Sequence, residues 1–163
     1  MEEFINIERD ESEINMLSPL TWAYVGDSIY ELLIRTYLVN KTKLKPHSLH
    51  IEAIKFVKAK SQADILKRLE VFLTEEEKEI VRRGRNAENH HLPKNANVEE
   101  YMYSTAFEAL IGYLYLCKKD ARLKEIFHLI LNQKFLLILH LFYININIQL
   151  KLQKLLNTYI LLH

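Results

Sequence analysis

Glycine occurs only three times among the 163 residues of this chain, and proline also occurs three times. An all-β fold of this length needs many tight turns, which depend on these two residue types. Since 49% of the residues are hydrophobic, the composition instead predicts one all-α domain with a substantial core. N-cap signals at Ser18, Thr74 and Asn97, with helical spacing of apolar residues after them, predict about six to seven helices.

The predicted helices have bounds that follow from caps and spacing. Ser18 followed by Pro19 starts a helix, and the capping box that begins at Thr74 starts another, which we expect to end at Gly84. The predicted helices span 19–39, 47–59, 61–71, 75–83, 98–117 and 120–133. A long polar loop is predicted over 85–97.

Two acidic residues, Asp27 and Glu108, stand in stretches that are otherwise apolar. A carboxylate in a core is costly unless a cation meets it. Gly26 and Gly112 each lie within four residues of one of these acids, which predicts a close helix approach around a shared acidic site. Mg²⁺ binds oxygen ligands, often one or two carboxylates with substrate phosphates, so we interpret the pair as a Mg²⁺ site. The alternative is two ordinary surface acids.

Basic residues are concentrated in 41–68 and 82–85. Two such segments beside a carboxylate site are typical of a surface that follows phosphates. The alternative is a solvated charged face. His90 and His91 are adjacent in the polar loop, without cysteines or spaced acids, and this pattern favours solvated histidines over zinc ligands.

Several features of the sequence predict the cellular compartment of the protein. Cys117 is the single cysteine, which excludes an internal disulfide and suits a reducing cytoplasm. The acidic N-terminal sequence fits neither a signal peptide nor a transit peptide. The apolar run 135–144 is too short to span a bilayer. We therefore expect a cytoplasmic protein with no membrane partner.

Residues 134–163 differ abruptly from the sequence before them. They contain ten leucines and five isoleucines but no acidic residue, and 144–152 alternates with the period of a half-buried strand. We therefore divide the chain into a catalytic domain, 1–133, and an atypical tail, 134–163. The tail is either an added amphipathic element or the product of an altered reading frame in AT-rich DNA.

Five short motifs occur in order between residues 14 and 131. They are LTWAYVGDSIYE at 20–31, KAKSQA at 58–63, RRGRNA at 82–87, PKN at 93–95 and YSTAFEALIG at 103–112. In this order and spacing they resemble the catalytic domain of ribonuclease III. The resemblance is strongest to the Mini-ribonuclease III branch of that family, which lacks a double-stranded-RNA-binding domain.

The resemblance implies an all-helical, homodimeric endonuclease that cuts double-stranded RNA with Mg²⁺ and matures 23S ribosomal RNA. It aligns Asp27 and Glu108 with the principal metal ligands and makes a ribosomal particle a further candidate partner. Glu31, one turn after Asp27, is interpreted as an acceptor that orients a metal-bound water, or alternatively as the partner of a nearby Lys or Arg. The candidate RNA contacts are Lys58, Lys60, Arg82, Arg83, Arg85, Asn86, Lys94 and Asn95.

The chain departs from full-length ribonuclease III at Leu20, Ala23 and Thr105, where those enzymes carry acids. Mini-ribonuclease III shares these losses. Because few carboxylates are left, the alternative function is a catalytically weak module that binds RNA or assists ribosome assembly. An unrelated helical phosphohydrolase is a further rival, but the His-Asp pairs of such enzymes do not occur here.

For the dimer, we expect some of the large apolar residues on the first predicted helix to face the partner. The candidates are Trp22, Tyr30 and Ile34.

Overall fold

The computed structural model describes residues 8–87 and 97–132, and both ranges contain helices without strands. The helices are α1 (Glu11–Asn15), α2 (Pro19–Lys41), α3 (Pro46–Val57), α4 (Ala59–Leu69), α5 (Glu75–Arg85), α6 (Val98–Leu116) and α7 (Asp120–Leu131), with a 3₁₀ turn at Glu70–Phe72. The all-α prediction is confirmed. No helix in these ranges has the length and apolar character to cross a membrane. The predictions for 88–96 and for 134–163 lie outside the described residues.

Side-chain caps begin the helices at the residues that the sequence indicates. Ser18 Oγ accepts a hydrogen bond from the backbone N–H of Leu20 at 3.3 Å. Thr74 and Glu77 form the reciprocal capping box at the start of α5. Asn97 Oδ1 accepts from the first turn of α6. Local chemistry therefore fixes where α2, α5 and α6 start.

Several features of the helices differ from the predictions. The predicted helices 47–59 and 61–71 are Pro46–Val57 and Ala59–Leu69 in the structure. Helix α1, which Asp10 and Glu13 cap reciprocally, was not among the predicted helices. The prediction that α5 ends at Gly84 is wrong, since α5 continues through this residue to Arg85. Gly84 instead allows close packing, because a Cβ placed there would lie 2.9 Å from Ala106 Cα.

Helix α6 forms the centre of the molecule. Its residues from Ser104 to Leu114 are buried on nearly every side, with Glu108 as the half-buried exception. The helices α2, α4 and α5 pack directly on α6, while α3 packs on α2, and α7 contacts both α6 and α4. A helix that is apolar all round suits this central position.

The large apolar residues of α2 divide into a buried set and an exposed set. Trp22, Tyr30 and Ile34 are each 0% exposed, so the expectation that these residues face a partner is wrong. They lie at steps of four residues from Gly26, which contacts α6, and therefore share the buried side of α2. The exposed side of α2 instead carries Tyr24, Leu32 and Val39, which are 81%, 55% and 61% exposed.

Candidate active site

The site is built where α2 crosses α6 at two glycines. A Cβ placed on Gly26 would lie 1.8 Å from the carbonyl oxygen of Glu108, and one placed on Gly112 would lie 1.9 Å from the carbonyl oxygen of Trp22. Only glycine allows this backbone approach at either position. Asp27 follows the first contact and Glu108 forms part of it, so the crossing brings the two acids together. The predicted close approach of the two helices is confirmed, while the function of the two acids as a shared site stays a prediction.

Asp27 lies at the edge of this crossing and is exposed, which differs from the expected burial of both acids in the core. The protein packed around its carboxylate nevertheless raises the pKa of Asp27, and the negative charge of Glu31 raises it further. Both effects disfavour the ionised carboxylate. A positive charge near Asp27 would counter both effects and favour the ionised carboxylate.

Glu108 is half-buried on α6. Burial raises the pKa of its carboxyl to about 7, and the negative charge of nearby Asp27 contributes in the same direction. The charge of Asp27 thus disfavours the ionised form of Glu108, and a divalent cation at this pair can supply the missing positive charge.

The two carboxylates fit Mg²⁺. Magnesium keeps several waters and is usually held by one or two carboxylates together with substrate phosphates. Within 8–87 and 97–132, no cluster of three or more His, Cys, Asp and Glu side chains is found. A ligand set of this size suits a hydrated Mg²⁺ better than the closed four-ligand cage of structural zinc.

Glu31 lies one turn after Asp27, with its carboxylate 2.5 Å from Arg35 Nη2. This contact is the ion pair that the sequence analysis gave as the alternative for Glu31. Its charge still reaches Asp27. A role in orienting water at the site therefore stays a prediction.

Gln62 is a member of the site that the sequence analysis did not single out. Its side chain is 1% exposed, and its amide approaches Glu108 closely enough to lower the pKa of that carboxyl. The Nε2 atom still has no hydrogen-bond partner of ordinary geometry among the described residues. The spacing of Gln62 with Ile65, Leu66 and Leu69 places a polar residue on the apolar face of α4, and this pattern could have drawn attention to it.

The candidate RNA-contact residues on α4 lie at the same end of that helix as Gln62. Lys58 is the N-cap of α4 and Lys60 is in its first turn; both are exposed. Lys58 precedes Gln62 by one helical turn, so the two positions share a side of α4. This end of α4 therefore carries two exposed basic residues.

The three arginines of α5 have different surroundings. Arg82 is exposed and pairs with Glu79 at 2.6 Å. Arg83 Nη2 donates to the carbonyl oxygen of Asn15 at 3.1 Å, and its guanidinium lies 4.3 Å from the ring centroid of Trp22.

Arg85 lies at the end of α5, where its Nη1 donates to Tyr103 Oη at 3.4 Å. Arg82 and Arg85 line an open groove of about 400 Å³ beside the 3₁₀ turn. Asn86 is exposed and caps the C-terminus of α5. The other two candidate contacts, Lys94 and Asn95, lie outside the described residues, as do His90 and His91.

Comparison with known proteins shows the family of this chain. Residues 20–119 match the ribonuclease III domain. This chain belongs to the ribonuclease III family. Proteins of this family are endoribonucleases that act on double-stranded RNA, and they usually act as dimers.

Within the ribonuclease III family, the similar curated proteins are Mini-ribonucleases 3. That of Thermoanaerobacter is 50% identical over 113 residues, which are 69% of this chain and 80% of the relative. That of Clostridium tetani is 40% identical over 130 residues, or 79% of this chain and 86% of the relative. The resemblance to the Mini-ribonuclease III branch is thus confirmed.

A solved structure also has the same fold. The crystal structure of a protein from Fusobacterium nucleatum superimposes with a TM-score of 0.64 at 37% sequence identity. The match covers 69% of this chain and 92% of that one. The all-α fold of this chain is therefore shared with a solved structure.

Proposed function

We propose that this protein is a Mg²⁺-dependent endoribonuclease that hydrolyses double-stranded regions of ribosomal RNA during maturation of the 23S molecule. Asp27 and Glu108 would hold the ion. A cytoplasmic location and association with a ribosomal particle are parts of the proposal. The domain assignment, with 1–133 as the catalytic unit and 134–163 as an atypical tail, is another part.

The observation that carries this proposal is the placement of Asp27 beside Glu108 at the glycine crossing of α2 and α6. When bound, Mg²⁺ lowers the pKa of its water and neutralises charge that develops on the leaving oxygen. The protein supplies two carboxylates on rigid helices, and their mutual repulsion favours a cation between them. Glu31 would orient water at the exposed edge of this pair.

RNA binding is assigned to the basic and amide side chains around the site. An A-form duplex is recognised through its shape, phosphates and 2′-hydroxyls. Lys58 and Lys60 are exposed and lie one turn or less from Gln62 on α4, so they can contact phosphates next to the carboxylate pair. The other contacts in the proposal are Arg82, Arg83, Arg85, Asn86, Lys94 and Asn95.

The proposed active form is a homodimer. Two symmetric sites can address the two strands of one duplex. Three large apolar side chains of α2, Tyr24, Leu32 and Val39, are exposed and are the candidates for contacts with the second subunit in this proposal.

A cleavage assay tests the proposed chemistry. Purified full-length protein is incubated with long double-stranded RNA in Mg²⁺ or in EDTA, beside the Asp27→Asn and Glu108→Gln variants. Each substitution removes one ligand charge without changing side-chain volume. We expect Mg²⁺-dependent fragments with 5′-phosphates from the wild type alone, while all three proteins bind RNA.

The same assay separates the enzyme from the alternative, a catalytically weak RNA-binding module. Cleavage at wild-type rates by both variants would refute the assignment of the site. RNA binding without cleavage by the wild type in Mg²⁺ would support the binding module.

A further inference from the structure

Gln62 is a buried polar side chain that neither the fold nor the proposed chemistry uses. It is 1% exposed, in the first turns of α4, and its side chain approaches Glu108 on α6. Its Nε2 has no accessible surface and no hydrogen-bond partner within 8–87 and 97–132. A buried donor that is left without an acceptor costs stability.

The position of Gln62 next to Glu108 explains why this cost in stability is tolerated. A side-chain amide has a donor end and an acceptor end, and only the NH₂ end is attractive toward a carboxylate. A glutamate side chain has three rotatable bonds beyond the backbone, so its helix alone does not fix the orientation of the Glu108 carboxylate. A donor on the adjacent helix α4 can restrict that orientation.

We propose that Gln62 is a positioning residue: with a divalent cation at the pair, its Nε2, which has no acceptor among the described residues, would donate to the Glu108 carboxylate and hold it in the orientation in which it and Asp27 bind the ion. The proposal rests on the proposed function of the Asp27–Glu108 pair. In it, Gln62 contacts neither RNA nor the metal. Groups that orient metal ligands in this way typically raise metal affinity ten- to a hundred-fold.

The test compares Gln62→Met with wild type, because methionine has a similar shape and no hydrogen-bond donor. Binding of Mn²⁺ alone, which prefers the same oxygen ligands as Mg²⁺, is followed by electron paramagnetic resonance on the full-length protein. We expect Gln62→Met to bind Mn²⁺ at least ten-fold more weakly. In EDTA we expect its unfolding midpoint in urea to stay close to that of wild type, because methionine fills the same space and, among the described residues, Nε2 has no hydrogen bond that the substitution would break.

If Gln62 had only a structural role, Gln62→Met would lower the unfolding midpoint and leave the Mn²⁺ affinity unchanged. An unfolded or destabilised Gln62→Met protein, or one that binds Mn²⁺ as tightly as wild type, would overturn the proposal. Tyr30→Phe is the matched control, since Tyr30 Oη is another buried atom without a partner in the described ranges and belongs to the helix of Asp27. This control should keep wild-type Mn²⁺ affinity.

Glu108→Gln in the same titration separates the two proposals. If wild type and Glu108→Gln bind Mn²⁺ equally weakly, the proposed metal site fails, and the role of Gln62 fails with it. If wild type binds tightly, Glu108→Gln binds weakly and Gln62→Met matches wild type, only the role of Gln62 is refuted.

Discussion

Gly26 lies against the main chain of Glu108, so closely that a Cβ on Gly26 would be 1.8 Å from the Glu108 carbonyl oxygen. Neither atom could move away by side-chain rotation, because a Cβ is fixed by its own backbone and the carbonyl oxygen is part of the Glu108 backbone. The helix crossing that forms the fold is therefore also the contact that brings Asp27 beside Glu108.

We expect Gly26→Ala to lower the free energy of unfolding by roughly 3 kcal/mol, because no side-chain rotation relieves the overlap with a backbone atom. Urea unfolding followed by circular dichroism measures the change. Gly84→Ala is the control: its Cβ would lie 2.9 Å from Ala106 Cα, and better helix propensity offsets part of the crowding. A Gly26→Ala protein as stable as Gly84→Ala would contradict the close crossing.

The raised pKa of Glu108 predicts how stability depends on pH without metal. The folded protein raises this pKa from 4.5 to about 7. Stability from the protonated carboxyl is therefore fully present below about pH 4.5 and is lost as the pH rises through about 7. In EDTA at pH 8, we expect Glu108→Gln to be more stable than wild type by about 1–3 kcal/mol, and nearly equal to it at pH 4.5.

Added Mg²⁺ should change the relative stability of wild type and Glu108→Gln. At pH 8 it should stabilise wild type and leave Glu108→Gln unchanged, because only the wild type retains both carboxylates. The exposed Glu70 offers a control, and Glu70→Gln should unfold like wild type at both pH values. Equal stability of wild type and Glu108→Gln at pH 8 would show that the Glu108 carboxylate is not under repulsion.

Lys58 and Lys60 are expected to carry part of the salt dependence of RNA binding. In a Glu108→Gln background, which keeps the RNA intact, each Lys→Gln change should lower the slope of log K against log salt by about one for each phosphate contact removed. Fluorescence anisotropy with a double-stranded RNA at several KCl concentrations gives the slope. Lys124→Gln, an exposed charge on α7, should leave it unchanged. An unchanged slope for the α4 variants would place these lysines away from the RNA.

The main contribution of Arg83 is expected to be to stability. Its guanidinium donates a hydrogen bond to the Asn15 carbonyl oxygen and packs on the ring of Trp22. Arg83→Ala should lower the free energy of unfolding by roughly 1–3 kcal/mol. Arg82→Ala breaks an exposed ion pair with Glu79 and should lower stability less than Arg83→Ala does, because water screens an exposed pair. Urea unfolding of the two variants compares them. A larger loss in Arg82→Ala would reverse these assignments.

The sequence predicted the features of the fold that depend on neighbours along the chain. The caps at Thr74 and Asn97 are local, and Gly26 and Gly112 were informative because each stands near an acid. The roles of Gln62 and Arg83 depend on contacts with distant segments, so their own residue types did not reveal them. Gly84 was interpreted as a helix end because that is a common use of glycine, whereas here it serves close packing against α6.

The exposed side of α2 leads to a prediction about assembly. We expect the full chain and residues 1–133 both to be dimers, with the tail adding a risk of aggregation instead of specific assembly. Because Leu32 is 55% exposed on the same side of α2 as Tyr24, Leu32→Asp should weaken the dimer without disturbing the core. Light scattering at micromolar concentration measures the mass of each protein. Val98→Asp, at an exposed apolar position on α6, is the matched control and should remain dimeric.

The dimer also predicts how the two strands are cut. Two symmetric sites allow both strands of a duplex to be cleaved in one encounter, whereas a monomer has one Asp27–Glu108 pair. We therefore expect Leu32→Asp to accumulate singly nicked duplex, which end-labelling of each strand separately detects. If residues 1–133 are strictly monomeric and still cut both strands as the full chain does, dimerisation through α2 is not required and the proposed arrangement is wrong.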